Sequence, residues 1–234
     1  GAKKTLRAVD GVDFQVRQGE TLGVVGESGC GKSTLSRAVL NLLPATSGAV
    51  TLMGRDITRV APHRKVAEGL AFVPQTENIF ATMSILENLQ IAVAHLRKPD
   101  RAPAIEALFA RFPDLAASPS RLAGALSGGQ RQMLAVARAL ALDPPVIILD
   151  EPSAGLSPKI VGDVFAMLKA INATGVTIIL VEQNVKAALA IASRAVILAE
   201  GRIAHEGLPE ELASDPLVGR IYLGTAHGHQ RTPA

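Results

Sequence analysis

Tryptophan is absent, tyrosine occurs once, phenylalanine six times, and the single cysteine is Cys30. One thiol excludes an internal disulfide. With so few rings, basic residues interleaved with stacking aromatics are missing too. Long apolar runs are also lacking: stretches such as 146–149 and 178–181 fall far short of the roughly 20 residues that cross a bilayer. Charge of one sign is not in excess either, since 24 Lys and Arg face 21 Asp and Glu for a formal charge of +3. That near-balance, without a basic block, argues for no nucleic acid as partner. No basic start followed by an apolar stretch and a small-residue cleavage site opens the chain. Together with the lone thiol, this fits a reducing cytoplasm.

What the 234 residues do contain is aliphatic: 48% are hydrophobic, nearly all Ala, Val, Ile and Leu. Buried aliphatic runs suit a parallel sheet covered on both faces, so the composition predicts an α/β fold. Strands are expected at 21–25, 50–53, 70–73, 146–150, 176–181 and 195–198, with helices at 33–43, 128–141 and 160–172 and another between the last two strands. Alternation with short connections is the pattern of stacked βαβ units. Ser84-Ile-Leu-Glu87 is a capping box that starts a helix running to about Leu96. The segment 98–103 should break it, and a further helix should run from 104 to 112. This predicts one domain over 1–224 with a helical subdomain at about 84–126, and a loose tail over 225–234. His227 and His229 have metal-ligand spacing, but a solvated tail is the simpler expectation.

Three motifs carry chemistry. Gly26-Glu-Ser-Gly-Cys-Gly31-Lys32-Ser33 fits G-x-x-x-x-G-K-[ST] between a predicted strand and a predicted helix. The glycines let the backbone wrap with N–H groups turned inward at phosphate oxygens, and the helix start adds partial positive charge. Lys32 reaches the terminal phosphates and Ser33 ligates Mg2+. Cys30 lies inside this loop, so its alkylation should block nucleotide binding. Val146-Ile-Ile-Leu-Asp150-Glu151 ends a buried strand on two carboxylates, at the edge where open α/β sheets bind ligands. There Asp150 would hold Mg2+ through its water shell and Glu151 would face the attacking water. Leu126-Ser-Gly-Gly-Gln130 places glycines at a helix start behind a capping serine, again an anion site.

Leu-Ser-Gly-Gly-Gln before the carboxylate strand resembles the signature of the ATP-binding cassette (ABC) transporter ATPases, and the similarity extends over nearly the whole chain. It implies a P-loop NTPase fold of the ABC-ATPase type: a mainly parallel core with an N-terminal antiparallel β part and a helical subdomain. It also implies ATP hydrolysis with ATP and Mg2+ bound by Gly26, Glu27, Ser28, Gly29, Cys30, Gly31, Lys32, Ser33 and Thr34. Two chains would sandwich two ATP molecules, each site completed by Ser127, Gly128, Gly129 and Gln130 of the other. Glu151 would be the general base. Gln75 in Val-Pro-Gln-Thr-Glu-Asn matches the loop that contacts metal and water. Gln183 stands where most members carry a histidine; it can hydrogen-bond the γ-phosphate but cannot titrate. Ser153-Ala-Gly-Leu-Ser157 matches the D-loop, with Ser157 in place of the usual aspartate. The ring that usually stacks on adenine would fall near Lys3. Upstream of Gly19 the chain offers only Phe14, which reads as a core residue.

Two branches of the family are visible. The first segment, Ala8-Val-Asp-Gly-Val-Asp-Phe14 with Gly19-Glu-Thr-Leu-Gly-Val-Val-Gly-Glu-Ser, resembles the ATPases of dipeptide and oligopeptide importers. From about Gly54 the chain resembles those of branched-chain amino-acid importers, in Val73-Pro-Gln-Thr-Glu-Asn-Ile-Phe80, Gln132-Met-Leu-Ala135, Leu180-Val-Glu-Gln-Asn184 and the ending Ile221-Tyr-Leu-Gly224. The pattern suggests a natural mosaic or an engineered chimera. The resemblance implies a second ABC ATPase subunit, identical or different, and transmembrane permease subunits as partners. It also implies a cytoplasmic location on the inner face of the plasma membrane, with membrane contact only through the permease. The cargo it favours is a branched-chain amino acid or related small amide. A peptide importer and a nucleotide-binding subunit with little hydrolysis are the alternatives. A repair or translation ATPase would need coiled-coil inserts or a second cassette, and a GTP switch would need an Asn-Lys-x-Asp element; neither is found in the sequence.

Overall fold

The computed structural model describes residues 8–216 and 218. In chain order the elements are β1 (Thr21–Val25), α1 (Lys32–Val39), β2 (Thr51–Leu52), β3 (Arg55–Asp56), α2 (Pro62–Lys65), β4 (Leu70–Val73), α3 (Ile85–Ala92), α4 (Lys98–Arg111) and α5 (Pro113–Ala116). They continue with α6 (Gly128–Ala139), β5 (Val146–Asp150), α7 (Pro158–Ala173), β6 (Thr177–Glu182), α8 (Val185–Leu189), β7 (Arg194–Ala199), β8 (Arg202–Gly207) and α9 (Pro209–Ser214).

The central sheet has the order β4-β5-β6-β1-β7-β8. Its first five strands are mutually parallel, and β8 runs antiparallel to β7. The aliphatic runs explain this arrangement, because alternate side chains of each strand enter opposite faces. Ile147 and Leu149 join one core with Val25, Ile178 and Leu180, covered by α3, α6 and α7. Ile148 joins the other with Leu22, Val24, Val181 and Val196, beneath Leu35 of α1. The result for function is that the carboxyl ends of β1, β4, β5 and β6 open on one edge of the sheet. Gly26, Pro74-Gln75, Glu151 and Gln183 follow those four ends directly.

Several boundaries depart from the sequence reading. α1 stops at Val39, not Leu43, because Asn41 adopts a left-handed conformation (φ 57) and the Leu42 amide turns back to the Arg37 carbonyl at 2.8 Å, a helix stop that asparagine tolerates. α4 begins at Lys98, so 98–103 continues as helix instead of breaking. Pro99 sits in the first turn, where its missing N–H has no intrahelical partner to lose. Pro103 forfeits a single bond, to the Pro99 carbonyl. β8 and α9 escape the sequence reading. β8 alternates exposed and half-buried residues and follows a two-residue turn, Glu200-Gly201, with φ of 48 and 78, the geometry of a tight hairpin. Met53-Gly54 builds the β2–β3 hairpin in the same way, with φ of 50 and 79. Antiparallel structure therefore sits in that hairpin and at β8. The segment 8–20 carries no assigned strand, although Val12, Phe14 and Val16 alternate inward against the α1-side core.

The Ser84 capping box forms as expected: the Glu87 amide donates to Ser84 Oγ at 3.2 Å and the Ser84 amide to Glu87 Oε2 at 2.7 Å. Among the described residues no helix is long and apolar enough to cross a membrane. The expected tail 225–234, with His227 and His229, and the ending Ile221-Tyr-Leu-Gly224 lie outside the described residues.

Candidate functional site

The loop 26–31 leaves β1 and turns into α1 at Gly31. This residue caps the helix in a left-handed conformation (φ 108) and offers no side chain to the first-turn amides. A Cβ here would stand 2.4 Å from the Ala8 carbonyl oxygen, so only glycine passes. Since the first amides of a helix have no intrahelical acceptor, those of Lys32 and Ser33 are left for a group outside the helix. Lys32 is 3% exposed. Its ammonium donates to the carbonyls of Gly26 (2.9 Å) and Glu27 (2.8 Å) and lies 3.6 Å from Glu151 Oε1. Glu27, Ser28 and Gly29 form the exposed rim of the loop, and Ser33 and Thr34 are half-buried. Cys30 is buried, with Sγ 4.0 Å from Lys32 Nζ. Its carbonyl accepts from the Gly201 amide at 2.9 Å, which ties the loop to the β7–β8 turn.

β5 delivers the two carboxylates. Asp150 is 4% exposed, and its Oδ1 accepts from Ser33 Oγ at 3.1 Å. Burial pushes its carboxyl above the ordinary range, partly offset by that hydrogen bond. Ser33 and Asp150 thus present two hard oxygens side by side, the donor type that Mg2+ takes. Among the described residues no three His, Cys, Asp or Glu form a metal-holding group. A hydroxyl and a carboxylate oxygen suit Mg2+ shared with phosphate and water, the usual habit of this ion. Glu151 takes a left-handed conformation (φ 46) while its amide donates to the Val181 carbonyl at 2.8 Å. This turn aims its side chain back across the loop, where Oε2 accepts from Gln75 Nε2 at 3.1 Å.

Gln75 reaches that position because its segment is fastened to α6. Arg138 donates to the Asn78 carbonyl and lies 4.5 Å from the centre of the Phe80 ring, and Asn78 donates to Gln132 Oε1 at 3.3 Å. Gln183 is exposed and lines a cavity of about 270 Å³ with Glu151, Ser153, Ala154, Glu182 and Asn184. The structure thus gathers the loop 26–34, Gln75, Asp150, Glu151 and Gln183 on one edge of the sheet.

Residues 127–130 stand apart from that group. Ser127 and Gln130 cap one another, amide to side chain in both directions (3.1 and 3.3 Å). A Cβ on Gly128 would stand 2.7 Å from Leu156 Cδ2, and one on Gly129 2.7 Å from Ile160 Cγ2. Among the described residues none of the four bonds to the phosphate loop. Within one chain, the glycines therefore serve the close approach of α6 to α7 and the 153–157 loop. Ser157 begins α7 without a side-chain cap. Phe14 packs against the α1-side core as the sequence suggests, and the position near Lys3 lies outside the described residues. Sequence reasoning gave Glu182 no role, although it is the second acidic residue to end a buried apolar strand at this edge. An acidic residue closing an apolar run is the signal that marks both it and Asp150.

The family model described as ABC transporter matches residues 9–154. A probable branched-chain amino acid transport ATP-binding protein, LivF, of Archaeoglobus fulgidus is 41% identical over 94% of this chain and 94% of its own. The lipopolysaccharide export system ATP-binding protein LptB of Haemophilus influenzae is 33% identical over 94% of this chain and 92% of its own. Among solved structures, the ADP conformation of an ATP-binding cassette of an ABC transporter superposes with a TM-score of 0.83. Its identity is 30%, over 94% of this chain and 93% of that one. One relative aligned along nearly all of both chains gives the mosaic reading of the first segment no support. The chain therefore belongs to the ABC transporter ATP-binding proteins, the ATP-hydrolysing subunits of transporters.

Proposed function

We propose that this subunit powers an importer of branched-chain amino acids or related small amides. In this reading 1–224 is one cassette with a helical subdomain at about 84–126. It works as a head-to-tail dimer with a second ABC ATPase subunit, identical or different, seated on transmembrane permease subunits at the cytoplasmic face of the plasma membrane. The observation that carries the catalytic part is the Lys32–Glu151–Gln75 cluster beside the Ser33–Asp150 pair, all at the carboxyl edge of the parallel strands. The cargo rests on the 41% identity to the branched-chain relative. A second reading, lipopolysaccharide export, is supported by relatives at 33–35% identity.

The chemistry is mostly positioning. The amides of loop 26–34 surround the phosphates of ATP, and Lys32 turns from the Gly26 and Glu27 carbonyls to the terminal phosphates. Ser33 and Asp150 would hold Mg2+, which when bound would supply positive charge beside the phosphate oxygens. Glu151 accepts a proton from the attacking water, whose orientation is set by Gln75. Gln183 donates its amide hydrogens to the γ-phosphate. Ser127, Gly128, Gly129 and Gln130 of the opposing subunit close the site with a helix N-terminus.

The test is Mg2+-dependent release of phosphate from ATP by the purified chain. Lys32→Ala is expected to lose nucleotide binding, and Glu151→Gln to retain binding while losing turnover. Hydrolysis by Glu151→Gln at the wild-type rate would contradict the assignment of the base. The cargo is tested by uptake of radiolabelled leucine in cells lacking the gene, restored by the wild-type chain but not by Glu151→Gln. Unchanged uptake with impaired delivery of lipopolysaccharide would favour the second reading.

A further inference from the structure

Glu182 is a carboxylate of this edge that the hydrolytic scheme does not use. It closes β6, is 1% exposed, and is surrounded by hydrogen-bond donors. Its Oε1 accepts from the Ser153 amide at 2.9 Å. Its Oε2 accepts from the Ser153 hydroxyl at 2.9 Å and from the amides of Gln183 and Asn184 at 3.2 and 3.4 Å. Ser153 lies two residues beyond Glu151, and Gln183 and Asn184 start the connection to α8. One buried side chain thus joins the loops that leave neighbouring strands β5 and β6. The cavity of about 270 Å³ between them is lined by Glu151, Ser153 and Gln183.

A carboxylate suits this position in a way a neutral amide does not. Both its oxygens only accept, and of its four donors three are backbone N–H groups that can only donate, while the fourth, the Ser153 hydroxyl, donates here. A glutamine of the same shape must turn its NH2 group either on the Ser153 amide or on the three donors at the other oxygen. Burial raises the Glu182 carboxyl above its ordinary range, so the ion is held at a desolvation cost, and a buried ion is a poor choice for stability alone.

We propose that Glu182 is a positioning residue for hydrolysis: it locks the loop that follows Glu151 to the loop that carries Gln183, so that base and phosphate-facing amide keep one geometry. The inference rests on the reading above, in which Glu151 and Gln183 act on water and γ-phosphate, and deepens it. Glu182 itself has no part in contacting water or phosphate in that scheme. A displacement of about 1 Å between such groups costs on the order of 100-fold in rate.

The experiment measures steady-state hydrolysis and the affinity for a fluorescent ATP analogue in wild type, Glu182→Gln, Ser153→Ala, Ser153→Thr and Glu151→Gln. Glu182→Gln is expected to lower kcat about 10- to 100-fold while KM for ATP and the analogue's Kd stay within about twofold. Ser153→Ala should lower kcat less, and Ser153→Thr, which keeps the hydroxyl that donates to Glu182, should restore it. Turnover of Glu182→Gln within about twofold of wild type would overturn the proposal. So would a rise in Kd that matches the loss in kcat, or equal loss in Ser153→Ala and Ser153→Thr. If Glu182→Gln does not fold, the two Ser153 variants decide the matter. Glu151→Gln separates the two levels: if it hydrolyses ATP normally the underlying reading fails, whereas an inert Glu151→Gln beside an active Glu182→Gln removes only the positioning role.

Discussion

Gly129→Ala tests the packing of the signature helix. The added methyl would stand 2.7 Å from Ile160 Cγ2, against an ordinary carbon–carbon separation of about 3.5–4.0 Å, so α6 and α7 must part by about 1 Å at this point. Cγ2 branches from the Ile160 Cβ and cannot swing aside as the tip of a long side chain does. Overpacking of this kind costs about 1–3 kcal/mol, against a gain of up to about 1 kcal/mol from replacing glycine in a helix. With the full helix gain subtracted the net loss is up to about 2 kcal/mol, or a fall in Tm of up to about 8 °C for a chain of this length. Ile160→Leu moves the branch one carbon outward and removes the offending methyl, at less than about 1.5 kcal/mol by itself. Urea unfolding of the two single variants and the double variant gives the coupling. Gly129→Ala should be neutral or stabilising in the Ile160→Leu background, a coupling of about 1–3 kcal/mol. Hydrolysis should recover in parallel, because the methyl points into its own chain. Equal destabilisation by Gly129→Ala in both backgrounds, within about 0.3 kcal/mol, would refute the packing account.

Two further substitutions probe charge. Asp150→Asn should raise Tm at pH 7 while abolishing Mg2+-dependent turnover, because the buried carboxyl has a pKa above its ordinary value and is held ionised at a cost. The sign follows from linkage: the folded chain takes up this proton first, so the penalty is full above the raised pKa and disappears as pH falls below the ordinary carboxylate range. The stabilisation by Asp150→Asn must therefore shrink on acidification, and a constant or growing advantage in Tm scans would contradict it. Gln183→His should introduce a step in kcat near about pH 6.5, the ordinary histidine value. Wild type should lack that step between pH 6 and 8, and an identical profile in both proteins would remove Gln183 from contact with the reacting phosphate.

Much of this site is legible as spacing. The glycines, Lys32 and Ser33 announce themselves between a strand and a helix. Asp150 and Glu151 do so as paired acids after an apolar run, and strand ends 25, 73 and 150 are placed to the residue. Tertiary facts are less visible. Nothing local distinguishes Pro99 and Pro103 as helix interior from a break, since the cost of Pro103 depends on how near the helix start it lies. β8 is a hairpin partner whose half-exposed alternation means little until β7 is in place. The glycines at 128 and 129 read as an anion site, yet their contacts within the chain are with Leu156 and Ile160, side chains more than 25 residues away in sequence. Glu182 escapes for the same reason: two of its four donors belong to Ser153, 29 residues earlier on another loop.

The central claim is that two chains complete one hydrolytic site. It is tested most directly by the sedimentation mass of Glu151→Gln with and without Mg-ATP, since this variant should retain ATP unhydrolysed. The account predicts a monomer without nucleotide and a dimer with it, lost again in Glu151→Gln carrying Ser127→Arg, whose bulk would obstruct the opposing phosphate. A monomer that binds Mg-ATP fully yet does not associate, either with itself or with a second ABC ATPase added as partner, would contradict it.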